Sequence, residues 1–203
     1  ISLEGPSATG LTGTFTLSSA LLTVGTGANQ RTYNLSLTNS ATAEFLNVSL
    51  GPPVNAYWNG SSGSSWIADS GGGVTSWRSD ATSNVNTQVP PGDNTNVFFT
   101  VTTGSTNRST TLDQAFSIKS LTFTGTGTGA INPVTIASGI GGAGSTLTIG
   151  SGGITVNSGS GAHTISSRMN LSANQTWTNN SVNTLTISGV VGDNNVGLGF
   201  IKS

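Results

Sequence analysis

Apolar and polar residues alternate along much of this 203-residue chain, with the period of two that places successive side chains on opposite faces of a β-strand. The clearest early example covers residues 11–17, where Leu11, Phe15 and Leu17 alternate with threonines. We predict a strand there that could serve as an assembly strand. Further strands are predicted over residues 20–24, 33–37 and 45–50, because turn-forming Gly, Asn and Ser separate these apolar runs.

The pattern breaks at Gly51-Pro52-Pro53, since proline lacks a backbone N–H and restrains the residue before it. We therefore divide the chain into an N-terminal β-strand segment, residues 1–54, and a second part, residues 55–203. The first segment is interpreted as an assembly, donor-strand or capping module.

An apolar-Thr-apolar triplet followed by a Gly/Ser/Asn turn recurs from residue 117 onward. It occurs at 121–123, 134–136, 147–149, 154–156 and 185–187, with looser versions at 163–165, 169–171 and 175–177. The intervals are nearly constant: Leu147 to Met169 is 22 positions, Ile154 to Gln175 is 21, and His163 to Leu185 is 22. One step earlier, the segment at 134–139 resembles the segment at 154–159, 20 positions later.

A repeat of about 20 residues with three short strands is typical of one coil of a parallel β-solenoid, in which each strand stacks on its equivalent in the next coil. We predict an all-β fold: a right-handed parallel β-solenoid over residues 55–203, with about four coils, preceded by the short N-terminal strand segment. Each triplet should direct two apolar side chains inward and one threonine outward.

The composition explains how such a surface can be hydrated without charge. Charged residues make up 6% of the chain and the formal net charge is -1, so outward Thr, Ser and Asn must replace the usual Lys and Glu. The six Lys and Arg residues are scattered singly, which excludes a nucleic-acid partner. No apolar run is long enough for a membrane span, and the absence of cysteine excludes disulfides and thiolate chemistry.

Several ordered motifs in residues 57–203 support a family resemblance. They are Tyr-Trp-Asn-Gly at 57–60, Pro-Gly-Asp at 91–93, Ile-Lys-Ser-Leu-Thr-Phe at 118–123, Gly-Ala-His-Thr-Ile at 161–165, Asn-Gln-Thr-Trp at 174–177 and Leu-Thr-Ile-Ser-Gly at 185–189. This part of the chain resembles the autotransporter-associated β-strand repeat proteins of bacteria. The resemblance implies a secreted or surface-exposed β-solenoid. We therefore expect an extracellular or cell-surface location after removal of an export signal, with which Ile1 as first residue agrees.

Candidates for catalysis or metal binding are few. His163 is the single histidine, which excludes a two-histidine metal site, and we interpret it as a structural residue of a coil. The aspartates lie in turn-like settings such as Pro91-Gly92-Asp93 and Gly192-Asp193, where Asp bonds its own backbone. We predict no catalytic, cofactor-binding or metal site, no cofactor, and no enzymatic activity.

Trp58, Trp66 and Trp77 lie within 20 positions of one another, and they admit two interpretations. Large flat side chains at a surface can stack on sugar rings, so the three are candidate carbohydrate contacts. The preferred interpretation is core packing and capping of the first coil.

The leading functional hypothesis is an extracellular structural subunit that self-associates head-to-tail into fibres or a surface layer. Leu198, Phe200 and Ile201 are apolar and are expected to form an exposed C-terminal coil, which the N-terminal segment of a second copy could cover. The partner would be the same chain, as a homo-oligomer or homopolymer. The alternatives are a surface adhesin or carbohydrate-binding module, with a polysaccharide or cell surface as partner, and a polysaccharide-degrading enzyme.

Overall fold

A computed structural model describes residues 2–4, 16–26, 31–39, 43–82, 84–139 and 145–203. The first four strands are β1 (Ser2–Glu4), β2 (Leu21–Val24), β3 (Arg31–Asn39) and β4 (Ala43–Leu50). They form an antiparallel sheet in the order β1-β4-β3-β2. The predicted N-terminal strands at 20–24, 33–37 and 45–50 are thus confirmed as β2, β3 and β4.

Most of the predicted assembly strand at 11–17 lies outside the described residues. Leu11 and Phe15 lie outside the described residues. Leu17 is described, but it is half-buried and belongs to no strand.

The remaining strands build a parallel β-solenoid of about four turns, as predicted. They are β5 (Asn55–Trp58), β6 (Trp77–Arg78), β7 (Asn96–Phe99), β8 (Ser109–Leu112), β9 (Phe116–Phe123), β10 (Thr135–Ser138), β11 (Thr146–Val156), β12 (His163–Ile165), β13 (Arg168–Leu171), β14 (Gln175–Asn179), β15 (Leu185–Ile187), β16 (Val191–Gly192) and β17 (Phe200–Lys202). One sheet stacks β8, β10, β12 and β15, and a larger sheet contains the others.

The strand register tests the repeat intervals. Leu147 pairs with Met169 and His163 with Leu185, so both intervals of 22 are confirmed. The interval of 21 is wrong, because Ile154 pairs with Trp177 rather than Gln175. The interval of 20 is also wrong: Thr135 pairs with Thr164, in a different sheet from Ile154.

The core is a set of inward rows that run along the stack. Strand β11 shows the principle, since Leu147 and Ile149 are fully buried while Thr148 between them is partly exposed. The register places Val97, Leu121 and Ile154 in one such row. Full burial of a side chain of this size stabilises the fold by about 1.5–3 kcal/mol, so each added coil contributes through contact with the coil before it.

Candidate assembly surface at the last coil

The first coil of the stack is closed by a tryptophan cluster, defined as Trp58, Trp66 and Trp77, all of which have no exposed surface. Trp77 lies at its centre, with edge-to-face contacts to Trp58 at 4.8 Å and to Trp66 at 5.1 Å between ring centroids. Each indole N–H has an acceptor: the carbonyl of Thr106, the hydroxyl of Thr110 and the carbonyl of Trp66, respectively. The three side chains are therefore packed in the core, in agreement with the preferred interpretation, and none presents a ring face to solvent on which a sugar could stack.

Two backbone edges of the first coil, those of β5 and β8, are also covered. Strand β6 pairs antiparallel with β5, which ends the parallel stack on that side. In the other sheet, Ser65 forms an isolated bridge with Thr111 of β8. Thr111 N–H donates to the Ser64 carbonyl and Trp66 N–H donates to the Thr111 carbonyl, each at 3.0 Å.

The last coil contrasts with the first. Among the described strands, β15 pairs only with β12, β16 only with β13 and β17 only with β14, so each has one free edge. Of the three residues predicted to be exposed here, Phe200 is 44% exposed, Ile201 is 70% exposed, and Leu198 packs partly against the core. Phe200 and Ile201 are therefore exposed apolar residues of the last described coil, and Leu198 is half-buried.

An open depression of about 380 Å³ lies at this coil, and apolar side chains dominate its wall. The Phe200 ring stacks on Trp177 with 3.9 Å between centroids and 16° between planes. We define the last-coil surface as the apolar residues of the depression together with their exposed neighbours on the same coil: Trp177, Leu185, Ile187, Val191, Leu198, Phe200 and Ile201.

Asp193 organises a turn, as predicted, whereas the hydrogen bond given for Asp93 comes from the side-chain amide of Asn94. Asp193 accepts hydrogen bonds from the backbone N–H groups of Asn195, Gly197 and Leu198. The Leu198 and Gly197 bonds contribute most to lowering the pKa of its carboxyl below the usual range. Asp69 likewise accepts from the backbone of the Gly71–Gly73 turn at 2.7 and 3.2 Å.

Asp80 anchors a third turn of the same kind. Burial acts to raise the pKa of this carboxyl, but hydrogen bonds from the Thr82 hydroxyl and from the backbone N–H groups of Val85, Asn84 and Thr82 lower it overall. These carboxylates are therefore occupied by their own backbone. Within the described ranges no three His, Cys, Asp or Glu side chains are grouped so that they could hold a metal ion.

His163 is a buried structural residue, with 3% of its surface exposed. Its ring stacks on Phe123, with 4.3 Å between centroids. Nδ1 accepts a hydrogen bond from the Val134 N–H at 3.1 Å, so the ring proton is on Nε2, which lies 2.7 Å from the Ser160 hydroxyl. Burial lowers the pKa of the imidazole to about 4.

Comparison of the chain with protein-family models, with curated proteins and with solved structures finds no match. The resemblance to autotransporter-associated repeats therefore stays a prediction. In the described part of the chain, no helix has the length and apolar character to cross a lipid bilayer.

Sequence reasoning missed two features of the surface. The first is the Trp177–Phe200 stack, which joins residues of successive coils and requires the register to be known. The second is the exposure of strand β2, which lies at a sheet edge and leaves Leu21, Leu22 and Val24 about half exposed. Its signal was a continuous apolar run, which by itself does not distinguish a buried strand from an exposed one.

Proposed function

We propose that this chain is a non-catalytic structural β-solenoid subunit of an extracellular assembly, which associates head-to-tail through the last-coil surface. The observation that carries the proposal is the asymmetry of the stack. Its first coil is sealed by an antiparallel strand and the tryptophan cluster, whereas the last described coil combines free strand edges with exposed Phe200 and Ile201. Free edges next to apolar side chains favour pairing with another strand.

The complementary surface is the N-terminal sheet of a second copy. Edge strand β2 exposes Leu21, Leu22 and Val24, and Val48 of β4 is exposed as well. The Ser19 hydroxyl already bonds the backbone N–H and carbonyl of Leu21, so the contact at that residue would rely on its side chain. Two different surfaces of one chain make a heterologous contact that does not close, and such a contact propagates into a fibre or layer.

Each of the two alternatives would need residues other than the buried tryptophans and the turn-bound aspartates. An adhesin or carbohydrate-binding module would have to use aromatic rings other than the tryptophan cluster. The half-buried Tyr57–Phe98 pair, stacked at 4.4 Å, is one candidate. A polysaccharide-degrading enzyme would need acidic side chains other than Asp69, Asp80 and Asp193, whose oxygens bond their own turns.

The proposal is tested by sedimentation velocity over a wide concentration range together with negative-stain electron microscopy. We expect the wild-type chain to associate as concentration rises. Ile201→Lys should remain monomeric because it adds a second charge next to Lys202 on the edge strand. The matched control is Ile131→Lys, the same change at a side chain that is 76% exposed in an earlier turn, which should associate like wild type. Wild-type protein that is monomeric at every concentration would reject the proposal.

The dependence on salt gives a second test. With a net charge of -1 and 6% charged residues, electrostatic repulsion between copies is small. Raising ionic strength from about 0.05 M to about 0.5 M shortens the screening length several-fold, but it should change the association constant by less than about twofold. Assemblies that dissolve on addition of salt would show that charge pairs, rather than the last-coil surface, hold the copies together.

A further inference from the structure

His163 lies where three successive coils of the solenoid meet. Val134, at the start of the preceding coil's strand, donates its N–H to Nδ1 of the imidazole. Within its own coil the ring is bonded to the Ser160 hydroxyl. The backbone N–H of His163 donates to the Thr184 carbonyl of the following coil at 3.0 Å. This one residue therefore forms hydrogen bonds to the coil before and to the coil after its own.

The bonding pattern accepts only one protonation state. A neutral ring with its proton on Nε2 donates to Ser160 and accepts from Val134, so both bonds are satisfied. A second proton would have to go on Nδ1, where it would face the Val134 N–H and leave that buried donor without an acceptor.

The surroundings supply no counter-charge for an imidazolium. The segments packed around the ring, residues 123–137, 156–166 and 179–187, contain no ionisable side chain other than His163 itself. Strand β9, which contributes Phe123, carries one charged residue, Lys119, and that side chain is exposed. The face of Phe123 can offset part of the cost of a cation, but not the lost hydrogen bond.

Ser160 connects the His163 ring to the next coil, so a displacement of the ring would also disturb that coil. The Ser160 carbonyl accepts hydrogen bonds from the Ser181 hydroxyl at 2.5 Å and from the Asn183 side-chain amide at 2.9 Å. Both donors belong to the turn that leads into β15. We propose that His163 is an acid-sensitive latch: the neutral ring holds the corner of residues 158–165 against the turn 181–184, and protonation releases both.

The direction and size of the effect follow from linkage. Burial lowers the pKa of His163 from 6.5 to about 4 in the closed state, whereas an opened corner returns it to 6.5. The closed corner is therefore fully stable above pH 6.5 and loses stability as pH falls towards 4. Opening should become about tenfold more favourable per pH unit across this window, roughly 300-fold in total.

The test uses the 203-residue chain and its single histidine, whose ring signal in an NMR spectrum needs no assignment among others. We expect the imidazole to titrate well below pH 6.5. Amide hydrogen exchange, corrected for intrinsic rates, should show the protection of Val134 falling about tenfold per unit between pH 6.5 and pH 4.5. The Ser172 N–H, bonded to the Ile149 carbonyl of the other sheet, serves as an internal control whose protection should change less.

The variant that isolates the latch is His163→Gln, because its amide can donate and accept but does not titrate in this range. Its Val134 protection should be independent of pH over the same window. A wild-type imidazole that titrates near 6.5 in the folded chain would overturn the proposal, and so would a Gln variant with the wild-type pH dependence. If the variant does not fold, the wild-type ring titration and amide exchange decide the matter without it.

Discussion

Replacing Trp77 should be one of the most destabilising single changes in the chain. Trp77 is fully buried at the centre of the tryptophan cluster, and its ring contacts both other members edge-to-face. Its indole N–H donates to the buried carbonyl of Trp66 at 2.9 Å. The residue therefore contributes apolar burial, ring–ring contacts and a hydrogen bond that no other described group replaces.

Two variants separate the contributions of apolar burial and of the hydrogen bond to the free energy of unfolding. Trp77→Ala removes a buried indole and leaves a cavity, which costs about 3–5 kcal/mol in protein cores. Trp77→Phe keeps an aromatic ring but leaves the Trp66 carbonyl without its donor, at a cost of about 1–3 kcal/mol. Since small domains unfold with a total of about 5–15 kcal/mol, the alanine variant should lose a large share of the stability of the stack.

Urea unfolding followed by far-UV circular dichroism at pH 7 measures both changes. This readout is preferred to fluorescence, because the substitution itself removes an emitter. The control is Val182→Ala in a fully exposed turn position, which should shift the free energy of unfolding by less than about 0.5 kcal/mol. If Trp77→Ala cost less than about 1 kcal/mol with an unchanged m-value, the tryptophan cluster would not be coupled to the coil stack and the capping argument would fail.

Three further predictions concern burial, coil spacing and acid. Because the tryptophan cluster is fully buried, iodide should quench little of the emission of the folded chain, and strong quenching would contradict the burial. Gly189→Ala should destabilise the last coils, since the new Cβ would lie 1.9 Å from the Ser167 carbonyl oxygen. The control is Gly199→Ala, whose Cβ meets no atom within 4 Å and which should not change the free energy of unfolding in the same urea titration. Asp80→Asn should lower stability at pH 7 and make the stability less dependent on acid. The pKa of the Asp80 carboxyl is below 3.8 in the folded state, so the stabilisation from this carboxylate is present above pH 3.8 and is lost as pH falls through the folded pKa. A variant whose stability below pH 4 falls as steeply as wild type would contradict this.

The stacked coils could be predicted from the sequence because a solenoid repeats the same contact many times. Each apolar-Thr-apolar triplet must place its two apolar residues over those of the coil before. The spacing is regular only in part of the stack: Leu147 and Met169 are 22 positions apart, whereas the paired residues Leu121 and Ile154 are 33 apart. In the regular part, the intervals ending at Met169 and Leu185 agree with the pairing of β11 with β13 and of β12 with β15.

The register at Trp177 could not be predicted, because the connections between strands differ in length from coil to coil, whereas the inward apolar rows stay aligned. The first coil of this pair takes five positions from Ile149 to Ile154, and the next takes six from Leu171 to Trp177. Gln175 fills the longer corner: it is buried, and its side chain bonds the Ile149 carbonyl and the Trp177 indole. The sequence pattern therefore predicts Gln175 to be the first residue of a triplet, although the residue that pairs with Ile154 is Trp177.

The placement of the tryptophan cluster was open for a related reason. Trp58 and Trp66 follow no repeat, and their indole partners, Thr106 and Thr110, are 48 and 44 positions away. Only the closure of the first coil brings those partners together. Sequence spacing therefore favoured core packing over a sugar platform without fixing the contacts, and the burial of the rings follows from contacts across the first coil.

The two ends of the described stack show how a protein with little charge handles strand edges. Many β-proteins protect an edge with lysine or another charged side chain, but six basic and seven acidic residues in 203 leave few for that purpose. At the first coil an antiparallel strand and buried indoles take that role. At the last described coil, β17 pairs only with β14 among the described strands, and Ile201 on it is exposed. Lys202 already places one charge on this strand, and Ile201→Lys adds a second beside it, so the variant tests whether the edge acts in assembly.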